Sequence, residues 1–192
     1  MEISRPYNNE IVVIKDIISK EENEILRLAA VDIWMLVAES LSESQLSIVS
    51  KIEKAIHSVM VQEYKYMTNP FFRPMLSTGY NHPFVVRGEG DYMEEHFDGA
   101  PNRGPDEQPL NLGSIYYITD DFEGGETFYP ELGYGYKPLA RSAIIHPGEP
   151  KFLHRVNKVG GGLRITMVTF AFNDFDDVLF VGREGIEDNL GV

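Results

Sequence analysis

The chain has 192 residues, five histidines, no cysteine and a formal net charge of −13. This length is enough for a sizeable core, and we expect a single domain over residues 1–192. The lack of cysteine excludes disulfides, thiolate metal sites and cysteine nucleophiles. The negative charge disfavours nucleic acid and anionic membrane surfaces as partners, because both are polyanionic. The composition leaves the oligomeric state open.

The sequence shows no signal for export or membrane insertion. The first ten residues are polar, and no apolar run reaches the length of a membrane span. The absence of cysteine also suits a reducing compartment. We therefore expect a soluble cytoplasmic protein with no membrane partner.

The first third of the chain carries one strand signal and two helix starts. Residues 11–18 are mostly β-branched and apolar, which predicts a strand. Ser19 with Glu22, and Ser42 with Gln45, have the capping-box spacing that opens a helix. Apolar residues at helical spacing predict the faces turned to the core. These are Ile25, Leu28, Ala29 and Trp34 in the first helix, and Leu46, Val49, Ile52, Ile56, Val59 and Met60 in the second.

From residue 83 onward, short apolar runs alternate with clusters of Gly, Pro, Asn and Asp. This sequence pattern is typical of an antiparallel sandwich or barrel. The predicted strands cover residues 84–87, 92–98, 112–119, 126–129, 142–146, 152–156 and 163–172. We predict an α+β, mainly β, fold. A helical N-terminal part (about 19–66) packs on a jelly-roll core, also called a double-stranded β-helix (about 83–172), and a tail follows (173–192).

Two segments each have two alternative interpretations in this predicted fold. The loop at residues 99–109 is long and lacks an apolar anchor, so it is either a lid or a hairpin tip. The tail at 173–192 is acidic and then partly apolar. It forms either a last strand or a surface that packs on a partner.

A pair of candidate metal ligands lies in the predicted strand at 92–98. Side chains two apart on a strand point the same way, so His96 and Asp98 would converge. Two histidines and one carboxylate on one face are typical of a ferrous site that keeps positions open for a co-substrate and oxygen. The residues alone offer two candidates for the second histidine, His146 and His154.

An arginine follows the second candidate histidine. Arg164 lies in an otherwise apolar strand, where an arginine is costly unless it is paired. Its fork matches a carboxylate, which belongs either to a bound small molecule or to a structural salt bridge. The glycines at 160–162 predict a hairpin tip that places His154 and Arg164 on adjacent antiparallel strands.

Together these motifs resemble the iron(II)- and 2-oxoglutarate-dependent dioxygenase superfamily, in particular its prolyl 4-hydroxylase-like branch. The matching segments are residues 88–98, 115–130 and 154–156, together with Arg164. The motifs occur in the family's order, and the resemblance covers nearly all of residues 10–172. It favours His154 over His146, whose separation from Arg164 fits poorly.

The resemblance implies a role for each matched residue. His96, Asp98 and His154 would hold iron(II), and with Arg164 they form the implied catalytic set. Arg164 would pair with the distal carboxylate of 2-oxoglutarate, Tyr117 would donate its hydroxyl to the same group, and Thr166 would assist. The implied reaction uses oxygen to hydroxylate an unactivated C–H bond, with succinate and carbon dioxide as co-products. Ascorbate is a further reductant that the resemblance allows.

The resemblance also limits what can be inferred about the substrate. The branch favours a prolyl residue of a peptide or protein. A free amino acid or another small molecule is the alternative, and a non-catalytic jelly-roll binding module ranks below both. The chain departs from the family upstream of the first ligand, where Arg87 stands in place of a tyrosine found in many relatives.

Overall fold

The computed structural model describes residues 1–65, 67, 70–73, 82–98 and 111–172. The predicted lid at 99–109 and the tail at 173–192 lie outside the described residues. In the described part, neither helix combines the length and the apolar character that a membrane span requires.

Two helices form where the capping boxes predict them. α1 spans Lys20–Trp34 and α2 spans Glu43–Glu63, so α2 ends slightly before the predicted boundary. At the start of α1, the Glu22 N–H donates to Ser19 Oγ at 3.1 Å, and the Ser19 N–H donates to Glu22 Oε2 at 2.8 Å. The same reciprocal pair caps α2. These bonds satisfy backbone donors that the first helical turn leaves open.

Apart from two 3₁₀ turns at Pro130–Leu132 and Pro150–Phe152, the remaining described elements are short strands. They are β1 Glu2–Tyr7, β2 Ile11–Lys15, β3 Phe71–Arg73, β4 Phe84–Arg87, β5 Met93–His96, β6 Asn111–Tyr117, β7 Glu123–Gly124, β8 Thr127–Tyr129, β9 Tyr134–Tyr136, β10 Ser142–Pro147, β11 His154–Val156, β12 Val159–Gly161 and β13 Arg164–Phe172. All seven strands predicted after residue 83 are present. Five strands were not predicted: β1, whose largely polar sequence carries no strand signal, and β3, β7, β9 and β12, which are only two or three residues long.

The predicted inward face of α1 is wrong at three of its four residues, and only Ala29, at 5% exposure, is buried as predicted. Ile25, Leu28 and Trp34 are 44%, 57% and 52% exposed, whereas Leu26 is fully buried and Asn23 is also buried. The buried side chain of Asn23 was not part of the prediction, and its hydrogen bonds to the sheet region accompany this rotation of the helix.

Asn23 is held by two buried hydrogen bonds. Its amide donates to the Ile118 carbonyl at 2.8 Å and accepts from the Tyr116 hydroxyl at 3.0 Å. Tyr116 lies in β6 and Ile118 directly follows this strand, so α1 turns this edge inward and its neighbours Ile25 and Leu28 outward. The prediction for α2 is largely confirmed, although Leu46 is 37% exposed and Ile48 takes its place in the core.

Two leucines on α1 allow a matched test of this corrected face. We expect Leu26→Ala to lower the free energy of unfolding by about 2–5 kcal/mol, because it removes buried methyl groups and leaves a cavity. Leu28→Ala, the same substitution at a position 57% exposed, should change it by less than about 0.5 kcal/mol. Denaturant unfolding monitored by circular dichroism measures both. Equal losses would contradict the observed orientation of α1.

The strands form two main antiparallel sheets. The larger, hereafter the major sheet, has the order β1-β2-β10-β6-β13-β3, and β4 also pairs with β13. The minor sheet has the order β5-β11-β8-β9, and β12 pairs separately with β7. The predicted mainly β, jelly-roll architecture with helices packed on it is confirmed.

Apolar residues lie on both faces of the major sheet. One face packs against α1 and α2 and forms the larger core, which includes Leu26, Ile52 and Met167. The other face meets the minor sheet around a smaller core rich in tyrosine. Its members are Ile11, Val13, Ile115, Tyr117, Tyr129, Tyr136, Ile144 and Phe152. The interior between the two sheets is where the candidate ligands lie.

The predicted hairpin joining His154 and Arg164 is wrong. His154 begins β11 in the minor sheet, and Arg164 begins β13 in the major sheet. Between them the chain forms β12, which pairs with β7, and then turns at Gly162 with a φ of +79°. The glycine run therefore carries the chain from one sheet to the other, and the two residues lie on different sheets instead of on adjacent strands.

Candidate active site

Three potential metal ligands converge where two strands of the minor sheet meet. His96 ends β5 and pairs in register with His154, the first residue of β11, and their ring centroids are 4.3 Å apart. Asp98 lies two residues beyond the end of β5, so it extends from a bend and not from the strand itself. One ligand atom from each residue lies within 4.8 Å of the others. This donor set suits a divalent transition metal.

Both histidines present the same ring nitrogen to the site. His96 Nδ1 lies 2.8 Å from the Glu94 carbonyl, and His154 Nδ1 lies 3.0 Å from the Phe152 carbonyl. Because a carbonyl only accepts, each Nδ1 carries the proton and each Nε2 keeps its lone pair for a ligand bond. Burial lowers the pKa of His154 to about 2, with His146 and His96 adding to the effect. His154 is therefore neutral at neutral pH, as a metal ligand must be.

His146, the rival histidine, lies behind the carboxylate. Its Nε2 is 3.6 Å from Asp98 Oδ2, while His96 Nε2 is 3.8 Å from Asp98 Oδ1. His146 is fully buried, and its Nδ1 contacts the Pro147 carbonyl at 3.3 Å. One carboxylate oxygen thus turns toward the triad and the other toward His146. His146 therefore packs beside Asp98, and its Nε2 makes no hydrogen bond to the carboxylate.

The floor under Asp98 is the backbone of Gly113 on β6, directly across the sheet from His146. A Cβ at this position would overlap Asp98 Oδ2 and lie 3.0 Å from His146 Cε1. The lack of a side chain at Gly113 therefore makes room for the carboxylate.

We expect Gly113→Ala to displace Asp98 and to weaken binding of a divalent metal by roughly 10- to 100-fold, the range seen when a ligand loses its support. Gly161→Ala is the matched control, because a Cβ there meets nothing within 4 Å. Titration of the metal-free proteins with manganese or iron, followed by calorimetry, measures the difference. Unchanged affinity in Gly113→Ala would show that Asp98 does not bind the metal from this position.

A buried arginine lies across the interior from the triad. Arg164 is 1% exposed. Its Nε donates to the Gly125 carbonyl at 2.9 Å, Nη2 to Thr127 Oγ1 at 3.3 Å and Nη1 to Thr166 Oγ1 at 3.4 Å. The guanidinium carbon lies 5.3 Å from the centroid of the Tyr117 ring. All of these partners are neutral, and within the described ranges no carboxylate lies at ion-pair distance from Arg164.

Such a guanidinium strongly favours an added anion. Burial lowers the pKa of Arg164, but an arginine keeps its charge in proteins. A buried charge without an opposite charge is costly, and the fork geometry is matched by a carboxylate. The local structure therefore has the properties of a carboxylate-binding pocket.

The other two residues predicted for this pocket lie beside the arginine. Thr166 is the register partner of Tyr117 across β13 and β6. The Tyr117 hydroxyl is fully buried and lies 2.7 Å from Thr127 Oγ1. Burial raises the pKa of Tyr117, so its hydroxyl keeps its proton and can donate it in a hydrogen bond.

Two further residues at the site were not recognised from the sequence. Thr127 bridges Tyr117 and Arg164, and Tyr129 is a fully buried tyrosine on the same face of β8. The Tyr129 ring centroid is 5.6 Å from that of His154, and its hydroxyl has no hydrogen-bond partner in the described part of the chain. The sequence signal was their alternation in a short strand, and alternation does not show which face of the strand points to the interior.

The protein is similar to known proteins in its fold. No protein-family model and no curated protein matches the sequence. The fold is similar to that of the viral collagen prolyl hydroxylase of Paramecium Bursaria Chlorella virus-1, solved as a 2OG complex, with a TM-score of 0.65 at 20% identity over 85% of this chain and 95% of that one.

Two cellular structures are also similar. A Pseudomonas putida prolyl-4-hydroxylase aligns with a TM-score of 0.59 at 13% identity, covering 86% of this chain and 88% of that one. A Trichoplax adhaerens prolyl hydroxylase, solved with a hypoxia inducible factor peptide fragment, aligns with a TM-score of 0.62 at 13% identity, covering 90% and 87%. The chain therefore has the fold of these prolyl hydroxylases.

Proposed function

We propose that the protein is an iron(II)- and 2-oxoglutarate-dependent dioxygenase that hydroxylates an unactivated C–H bond. The observation that carries this proposal is the buried guanidinium of Arg164, which has no carboxylate partner among the described residues and lies on the strand β13 of the major sheet, while a His-Asp-His cluster lies at the minor sheet. A metal site and a carboxylate pocket on opposite walls suit a short dicarboxylate that binds at both ends. The shared fold with a hydroxylase solved as a 2OG complex agrees with this assignment.

The residues present fit both groups. His96, Asp98 and His154 would hold the metal through two neutral imidazoles and one carboxylate, which is a ferrous donor set. Arg164, Tyr117 and Thr166 would hold the distal carboxylate of 2-oxoglutarate, and Thr127 keeps the arginine and the tyrosine in place. When bound, iron(II) couples the oxidation of 2-oxoglutarate to succinate and carbon dioxide to oxidation of the substrate by oxygen.

The chain itself supplies orientation and exclusion of water. Tyr117 and Tyr129 are fully buried, and they wall the space between the arginine and the triad. Carbonyl contacts fix both histidine rings, and Gly113 and His146 enclose the second oxygen of Asp98. A dry, preorganised pocket limits wasteful reaction with water and holds the reacting groups in one geometry.

For the substrate we propose a prolyl residue of a peptide or protein. An open groove of about 630 Å³ follows the two strands that carry the triad histidines, and it is lined by residues 92–95 and 155–158. A groove along strands suits an extended chain more than a compact small molecule. The Trichoplax structure in the comparison contains a peptide fragment, which is consistent with this choice.

The test is a substrate panel with matched pairs. Purified protein is supplied with iron(II), 2-oxoglutarate, oxygen and ascorbate, and each proline-containing peptide is paired with the same peptide carrying alanine. We expect one added oxygen atom on the proline peptide only, with one succinate formed for each hydroxylation. Hydroxylation of free amino acids without any peptide product would overturn the prolyl assignment, and the lack of succinate with every substrate would contradict the dioxygenase.

A further inference from the structure

A second arginine lies directly opposite Arg164. β4 and β13 pair antiparallel, and the register places Arg87 against Arg164. The neighbouring pair, Val86 and Ile165, packs into the core on the helix side of the sheet. Because side chains alternate along a strand, Arg87 and Arg164 both point to the other face, toward the interior that holds the candidate site.

This cross-strand pair is unfavourable as it stands. Directly opposed side chains have Cβ atoms about 5 Å apart, and like charges in this position destabilise a sheet. Arg87 is half-buried, and burial together with the charge of Arg164 lowers its pKa. Asp91 opposes this shift, but its carboxylate accepts the Gly88 N–H at 2.7 Å and forms no ion pair with Arg87.

Apart from the more distant carboxylate of Asp91, the contacts of Arg87 do not compensate its charge. Its Nη2 lies 3.3 Å from Met93 Sδ, and a thioether is a weak acceptor. Within the described ranges, no carboxylate lies at ion-pair distance from either guanidinium. Met93 stands three residues before His96 on β5, so the Arg87 side chain reaches from the edge of the carboxylate pocket toward the strand that leads to the triad.

We propose that Arg87 and Arg164 bind one anion together, and that Arg87 is a second binding residue for the dicarboxylate co-substrate. A shared carboxylate converts the repulsion between two opposed cations into two attractive pairs. This inference rests on the proposed function, and it deepens it by naming a residue that selects a dicarboxylate over a monocarboxylate. Arg87 then acts on co-substrate affinity and leaves the metal triad unchanged.

The test uses glutarate, a dicarboxylate without the keto group, so that binding is read in metal-free protein and does not depend on turnover. We expect Arg87→Met to weaken glutarate and 2-oxoglutarate by roughly 10- to 100-fold, because charge-assisted hydrogen bonds are lost. Without ligand, Arg87→Met should be at least as stable as the wild type, since one of the two opposed cations is gone. With saturating glutarate, its rise in Tm should be smaller than that of the wild type.

Two further variants separate charge from position. Arg87→Lys keeps the charge and should recover part of the affinity. Arg27→Met removes an exposed arginine of α1, which pairs with Glu24 and Asp121, and should bind glutarate like the wild type.

The possible outcomes distinguish this inference from the proposed function. If Arg164→Met loses glutarate binding while Arg87→Met binds normally, the shared-anion inference is wrong and the carboxylate pocket stands. If Arg87→Met binds glutarate normally but raises the KM for a peptide, Arg87 faces the main substrate, and the inference is again overturned. If neither variant changes glutarate binding, the carboxylate pocket itself is wrong, and with it the proposed function.

Discussion

Replacing His154 by alanine should abolish specific binding of iron(II). His154 is 3% exposed, and its Nε2 is directed at the site because Nδ1 is held by the Phe152 carbonyl. Its loss leaves one imidazole and one carboxylate, which is too few for a stable site on this face. Anaerobic calorimetry with iron(II), or with manganese as a stand-in, should show affinity lowered by well over the roughly 100-fold that a supporting residue accounts for.

His146→Ala is the matched control for this loss. His146 is also buried. Its ring centroid lies 4.6 Å from that of His154 and 5.5 Å from that of Tyr129. Its Nε2 lies 3.6 Å from the outer oxygen of Asp98 and is not one of the three clustered ligand atoms, so we expect metal affinity to fall by roughly 10- to 100-fold and binding to remain measurable. A reversed order, with His146→Ala losing the metal and His154→Ala keeping it, would show that His146 completes the triad.

Replacing Arg164 by methionine should nearly eliminate binding of 2-oxoglutarate while sparing the metal. Removing one partner of a buried ion pair costs about 3–5 kcal/mol, which corresponds to an affinity lower by roughly 150- to 5000-fold. The triad lies on the minor sheet and Arg164 on the major sheet, so metal affinity without the co-substrate should not change. Calorimetry of both ligands on the same oxygen-free protein measures this split.

Substitution of Arg164 by lysine separates the effect of the positive charge from that of the planar guanidinium. Arg164→Lys keeps one positive charge but lacks the planar fork, and the bonds to Gly125, Thr127 and Thr166 would not all be rebuilt. We expect an affinity between those of the wild type and of Arg164→Met. Normal 2-oxoglutarate binding in Arg164→Met would contradict the carboxylate pocket.

Local signals in the sequence predicted the fold well. The capping boxes at Ser19 and Ser42 depend on residues three apart, so they are readable without tertiary information. Seven strands after residue 83 follow from alternation and turn residues, whereas the very short β7, β9 and β12 were not predicted. The rotation of α1 was not predictable, because Asn23 looks like a surface residue until the buried carbonyl of Ile118 and the hydroxyl of Tyr116 are brought against it.

For the candidate site, too, local motifs were predictive and long-range contacts were not. The side chains of His96, Asp98 and His154 lie together as the motifs predict, and Tyr117 and Thr166 lie beside Arg164. What failed was long-range pairing. The sheet to which β13 belongs, and with it the opposition of Arg87 and Arg164, depends on strand partners far apart in the chain, and no local pattern encodes that choice.

The measurement that tests the central proposal most directly is an anaerobic titration of the purified protein with iron(II) and then 2-oxoglutarate, monitored in the visible range. Chelation of iron(II) by the keto acid produces a weak charge-transfer band. We predict a saturable band in the wild type, no band in His154→Ala, and a band in Arg164→Met only at much higher 2-oxoglutarate. No band in the wild type, together with no succinate formed in air, would contradict the assignment of this interior as an iron and 2-oxoglutarate site.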